Sequence, residues 1–152
     1  MMGDGQQQLQ QLSQELQALE AEIETQQSLV EELQTEQTAI DDAIEAIGTL
    51  SSGDTVQVPL GGGAYVRAEV QDIDEVVVSL GGGYAAEQAE GDAVTALERK
   101  QEALDDRIAE VKAEIGDLEA ESDELEQQAQ QMQQQMQQQQ MQQMQQPNED
   151  AE

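Results

Sequence analysis

No cysteine, no histidine, no phenylalanine and no tryptophan occur in this chain of 152 residues. Without cysteine there is no disulfide framework and no thiolate metal site, and nothing points to an oxidising compartment. With histidine missing too, a catalyst would have to use Asp or Glu, Tyr, Lys or Ser, and no pocket-forming sequence surrounds such a group. We therefore expect no enzyme, no metal and no other cofactor. Acidic neighbours such as Asp41-Asp42 and Asp105-Asp106 read as solvated helix faces. Adjacent helical residues point about 100° apart and do not easily share one ion. The want of large aromatics, with hydrophobic residues at only 37 %, leaves a thick core without filling. Burial has to come from a narrow seam of Leu, Ile and Val.

Basic residues are nearly absent as well, five against 34 acidic. Phosphate binding needs clustered Lys and Arg, so nucleic acid is excluded as a partner. No apolar run approaches the roughly 18 residues of a membrane span. The start, Met1-Met2-Gly3-Asp4-Gly5-Gln6, lacks the basic and apolar regions of a signal peptide. These absences predict a soluble, cytoplasmic chain with no membrane partner. The net charge of −29 fits either an acidic disordered chain or a fold built for very high salt. At 1 M the Debye length falls to about 3 Å and self-repulsion is screened. Regular heptads favour the second reading.

What is present begins with those heptads. Leu9, Leu12, Leu16, Leu19, Ile23, Gln26, Val30, Leu33, Gln37, Ile40, Ile44 and Ile47 follow one another by alternating steps of three and four. This is the a/d pattern of a coiled-coil strand and predicts a helix over 5–47, roughly 60 Å long. Asp4 is its expected N-cap and Gly48 its C-terminal stop. From Asp4 to Ile47 there are eleven acids and no base, so charge pairs cannot support the helix in dilute buffer. A second series runs Val94, Leu97, Gln101, Leu104, Ile108, Val111, Ile115, Leu118, Ser122, Leu125, Ala129, Met132 and Met136. It predicts a helix over 92–136 with Asp92 as N-cap. Gly116 falls at an outward position. An antiparallel fold-back sets Ile47 against Val94, Ile23 against Leu118 and Leu9 against Met132, and puts position 136 opposite Gly5.

Between the helices, 48–91 holds nine of the twelve glycines and both tyrosines. Val56, Val58 and Leu60 alternate with Gln57 and Pro59 up to Gly61-Gly62-Gly63, and Val66, Ala68 and Val70 alternate with Tyr65, Arg67 and Glu69 on the return. Val76, Val78 and Leu80 lead to Gly81-Gly82-Gly83, followed by Tyr84 and Ala86. Two tandem β-hairpins are predicted, with Asp72–Glu75 as the turn between them. Neither triplet is followed by Gly-Lys-Ser/Thr or leads into a helix, so a phosphate cradle is set aside for a turn needing φ > 0. Pro59 places its strand at an edge or a bulge. Four short strands with open edges are marginal alone, so the hairpins read as an oligomerisation device.

From Gln127 to Gln146 there are fifteen Gln, four Met and one Ala. Residues 137–152 are expected to form a Gln/Met-rich and acidic tail, partly disordered. The roughly helical spacing of Met132, Met136, Met141 and Met144 leaves a second reading open, an adaptable apolar surface on an amphipathic end.

The succession of helix, Val58-Pro59-Leu60-Gly61 turn, Val76 to Tyr84 hairpin and a helix starting near Ala93 resembles the archaeal prefoldin family over roughly residues 9 to 130. Its tandem hairpins are similar to those of the α subunit, since the β subunit has one. The resemblance implies an α+β fold: a long antiparallel two-helix coiled coil whose hairpins assemble into an intersubunit β-barrel. It further implies an ATP-independent chaperone, a holdase, working as a hexamer of two α and four β subunits. Unfolded client proteins would be captured at coiled-coil tips and delivered to a group II chaperonin. Carried onto this chain, the tips would be Leu9, Leu12, Leu16, Met132, Met136, Met141 and Met144. Assembly would rest on Val56, Val58, Leu60, Val66, Val70, Val76, Val78 and Leu80. The extreme acidity and the long Gln/Met end depart from the family pattern. The alternative is a structural coiled-coil scaffold that binds one specific partner.

Overall fold

The structure, a computed structural model, describes residues 2–145. In order, the elements are helix α1 (Met2–Thr49), strands β1 (Thr55–Gly61), β2 (Ala64–Glu69), β3 (Val76–Gly81) and β4 (Tyr84–Gln88), and helix α2 (Glu90–Gln145). The expected α+β arrangement is present, two long helices bracketing two antiparallel hairpins. The chain divides into two compact units, Met1–Val30 with Glu110–Glu152, and Glu31–Ala109.

The helices form because Ala, Leu, Glu and Gln dominate them and the apolar residues repeat on one stripe. In the first unit Val111 is fully enclosed, and Val30 and Ser122 are nearly so. Leu9, Leu12, Leu16, Leu19 and Ile23 of α1 and Ile115, Leu118 and Leu125 of α2 are half-buried. The seam is one side chain wide on each helix, which is what a chain without Phe or Trp can fill. The fold-back register is as expected: a Cβ on Gly5 would lie 3.4 Å from the Met136 sulfur. Gly116 faces open space, as its outward position requires. Gln26, a polar seam position, tucks its amide oxygen out of solvent with no hydrogen-bond partner among the described residues.

In the second unit the seam carries a reciprocal polar layer. Gln37 of α1 donates its amide to Asp105 of α2, and Gln101 of α2 donates to Asp41 of α1. Gln101 also lies 3.5 Å from the Gln37 carbonyl oxygen. Beyond it, Ile47, Val78 and Ala93 form a core flanked by Val76, Val94, Ala96 and Leu97, so Val94 packs on the cluster that holds Ile47.

Three helix ends differ from expectation. Asp4 and Asp92 are not caps; both lie inside the first turn. Ala93 N–H donates to Ala89 C=O at 2.8 Å, so α2 already starts at Glu90. There Glu90 and Asp92 favour the helix through the partial positive charge of its N-terminus rather than by capping it. Gly48 does not stop α1. It stays helical, and the last turn closes beyond it, with Leu50 N–H and the Thr49 hydroxyl both donating to Ala46 C=O at 3.0 Å. The chain turns instead at Gly53, φ 92°, whose N–H donates to Val70 C=O at 2.7 Å. The first part of the expected Gln/Met-rich tail, 137–145, is helical. The helix runs to Gln145, because Gln and Met are good helix formers and no Gly or Pro interrupts them. Residues 146–152 lie outside the described residues.

Candidate interaction surfaces

The hairpins are near copies of each other. β1 pairs with β2 through Val56↔Ala68, Val58↔Val66 and Pro59↔Tyr65, and β3 with β4 through Val76↔Gln88, Val78↔Ala86 and Ser79↔Ala85. The register slips at the same point in each, before the last glycine pair. Gly61, Gly62 and Gly63 have φ of 98°, 61° and 81°, and Gly81, Gly82 and Gly83 have 92°, 61° and 82°. These left-handed values admit glycine and disfavour every other residue, which explains the repeated triplet. Pro59 sits beside the slip, on a strand with one free edge. The two hairpins are separate two-stranded sheets, so every strand keeps an unpaired edge among the described residues. The chain is pinned across the base of the first hairpin. Val70 N–H donates to Asp54 C=O at 2.8 Å, and Ile73 N–H donates to the Ser52 hydroxyl at 3.0 Å.

The expected assembly residues divide into two groups. Val58 (41 %), Leu60 (68 %), Val66 (46 %) and Leu80 (54 %) are exposed, and Val56 and Val70 are half-buried. Val78 is only 5 % exposed and packs with Ile47 and Ala93, with Val76 against them. These two valines serve the chain's own core, because β3 turns that face onto the helices. Sequence reasoning passed over Tyr65, Val77 and Tyr84, all exposed. A usable signal was present: each tyrosine closely follows a glycine triplet, where the turn holds it out.

The second surface lies at the helix ends of the first unit. Leu12 and Met132 line a groove of about 400 Å³ with Gln8, Gln11, Glu15, Gln128, Gln131 and Gln135. Leu9 and Met136 line a second, of about 310 Å³, with Gln133, Gln137 and Gln140. Leu16 joins neither and stays in the seam. Met141 and Met144 are exposed, at 67 % and 89 %. Among the described residues no group of three or more Asp or Glu could hold a metal ion, and no helix is long and apolar enough to cross a membrane.

The chain matches the family model described as prefoldin subunit over residues 5–145. It is 71 % identical over 112 residues to a prefoldin subunit alpha of Halorubrum lacusprofundi, covering 74 % of both chains. To that of Haloarcula marismortui it is 57 % identical over 107 residues, covering 70 % of both. To that of Halobacterium salinarum it is 62 % identical over 109 residues, covering 72 % of this chain and 71 % of the other. These halophilic relatives agree with the high-salt reading of the charge. Among solved structures it is similar to a filamentous PFD from Methanocaldococcus jannaschii determined by cryo-EM. That likeness has a TM-score of 0.62 at 28 % identity, over 72 % of this chain and 93 % of the other. Helix seam, paired glycine turns and these relatives converge, and the chain belongs to the prefoldin family of chaperone subunits.

Proposed function

We propose that the chain is the α-type subunit of an ATP-independent holdase, with its hairpins for assembly and its helix ends for client capture. The observation that carries this reading is that two sets of apolar residues, one on the hairpins of the second unit and one at the helix ends of the first, are each exposed without a partner among the described residues. Leu60, Tyr65, Val77, Leu80 and Tyr84 are exposed beside free strand edges. Free edges recruit further strands, and prefoldin β subunits supply them, in a hexamer of two α and four β that closes a barrel. Val56, Val58, Val66 and Val70 complete that face. At the helix ends Leu9, Leu12, Met132, Met136, Met141 and Met144 offer flexible apolar contacts to unfolded chains. Clients pass from there to a group II chaperonin, in the cytoplasm. A scaffold for one specific partner is not favoured by the family assignment.

The test is aggregation of several unrelated denatured proteins in molar salt, without nucleotide, in the presence of the complex with its β partner. Slower aggregation of most clients is expected, and protection of none would refute the holdase. Met141→Gln with Met144→Gln should weaken capture while light scattering shows an unchanged assembly. A lost assembly would place these methionines in the fold.

A further inference from the structure

The grooves of the first unit lose charge toward the helix ends. The one around Leu118 is walled by four carboxylates, Glu22, Glu114, Asp117 and Glu121. The next, around Leu125, has three, Glu15, Glu22 and Glu121. That around Leu12 and Met132 has Glu15 alone, and that around Leu9 and Met136 has none. The sequence shows the same change. Residues 15–30 and 110–126 carry twelve acids and one lysine, whereas 5–14 and 127–145 carry no charge at all. In a chain of net charge −29, this is a local suspension of the composition that holds elsewhere.

We infer that this uncharged end is a docking groove for extended acidic polypeptide, held through glutamine amides. The inference rests on the capture reading above and names the chemistry of what is captured. Salt explains why charge is missing there. At 1 M the Debye length is about 3 Å, so repulsion at a distance is already screened. Salt does not remove the cost of stripping water from a carboxylate at contact, which is several kcal/mol per ion. A docking surface in such a medium therefore sheds its carboxylates, while a surface that stays wet keeps them. A basic peptide would gain from the carboxylate-walled grooves. The uncharged end is needed for a peptide as acidic as this chain itself.

Glutamine suits that partner. Each side-chain amide carries two N–H donors and an accepting oxygen. Gln8, Gln11, Gln128, Gln131 and Gln135, all exposed around Leu12 and Met132, can bond the N–H and C=O groups of an extended backbone whatever its side chains. Their donors also meet client carboxylates, and Met132 adapts to its apolar residues.

The experiment uses the complex with its β partner in molar salt. The probes are three labelled peptides with identical apolar residues and Glu, Gln or Lys at every polar position. The Glu and Gln peptides should bind with affinities within about threefold of each other, a difference below about 1 kcal/mol. Converting Gln8, Gln11, Gln128, Gln131 and Gln135 to Glu should weaken the Glu peptide by about tenfold or more and spare the Lys peptide. Glu15→Gln, which carries little folding risk at an exposed position, should tighten the Glu peptide. A Glu peptide bound by the unaltered complex more than tenfold below the Gln peptide would overturn the inference and leave capture standing. So would Glu15→Gln without effect, or self-association through this end in the absence of peptide. Binding of none of the three would overturn the capture reading as well.

Discussion

Leu60 and Val78 both belong to the expected assembly set, yet the structure gives their side chains different surroundings. Leu60 is 68 % exposed and Val78 is 5 % exposed. Leu→Ala removes apolar surface worth about 2.4 kcal/mol when fully buried, at roughly 0.8 kcal/mol per carbon. With about two thirds of Leu60 still accessible in the chain, about 1.6 kcal/mol of that belongs to association and the smaller remainder to folding. The expected result for Leu60→Ala is an assembly midpoint shifted by about tenfold in concentration for each such contact made, with little change in helix melting. Val78→Ala removes two carbons from the Ile47–Ala93 core and leaves a cavity, costing about 2 kcal/mol of the chain's own stability. Sedimentation across a dilution series reads the first quantity, and circular dichroism during thermal unfolding below the assembly midpoint reads the second. Were Leu60→Ala to lower melting as Val78→Ala does and leave assembly intact, the division between outer face and inner core would be wrong.

Gln26→Leu should raise stability by about 1–2 kcal/mol, because it removes a buried acceptor without a partner and adds apolar contact; denaturant midpoints check it. Gln37→Leu with Gln101→Leu should also raise the melting temperature, but at the cost of register, since the reciprocal amides to Asp105 and Asp41 would no longer mark it. Spin-label distances between α1 and α2 should then broaden; a single sharp distance would show that the layer does not set alignment. Gly116→Ala, in open space on a helix, should stabilise by about 1 kcal/mol. Gly62→Ala, at φ 61°, should destabilise by about 1–2 kcal/mol; melting curves of the two should move in opposite directions. Dilution from molar to about 0.1 M salt should lower melting, as the Debye length grows to about 10 Å and 34 acids face five bases.

The register was legible because two heptad series constrain each other. Met136 lies against Gly5 and Val94 packs on the cluster that holds Ile47, as the spacing requires, while the terminal grooves set Leu12 beside Met132 and Leu9 beside Met136. Helix ends were less legible. Cap rules weigh residue type, but α2 starts on the carbonyl of Ala89, and a backbone acceptor leaves no mark in a sequence. Gly48 looked like a stop because glycine can turn left-handed, although nothing obliges it to. The run Val76-Val77-Val78 was ambiguous in a different way. Alternation shows that one face is apolar, yet not whether that face meets the chain's own helices or another molecule. Strand alternation by itself hides Tyr65 and Tyr84. They are better read as the residues a glycine turn presents.

The matching φ values of the two glycine turns have a consequence for counting. Under the assembly proposed above, a chain that carries the same tab twice would be divalent: it would fill two stations in a ring, where a chain with one hairpin would fill one. The size of the closed assembly would then follow from the number of stations rather than of chains. Exchanging one divalent chain for two monovalent ones would conserve the ring while changing how many helix pairs it carries. Copy number and number of working ends are thus separable quantities, and the duplicated turn is where they part.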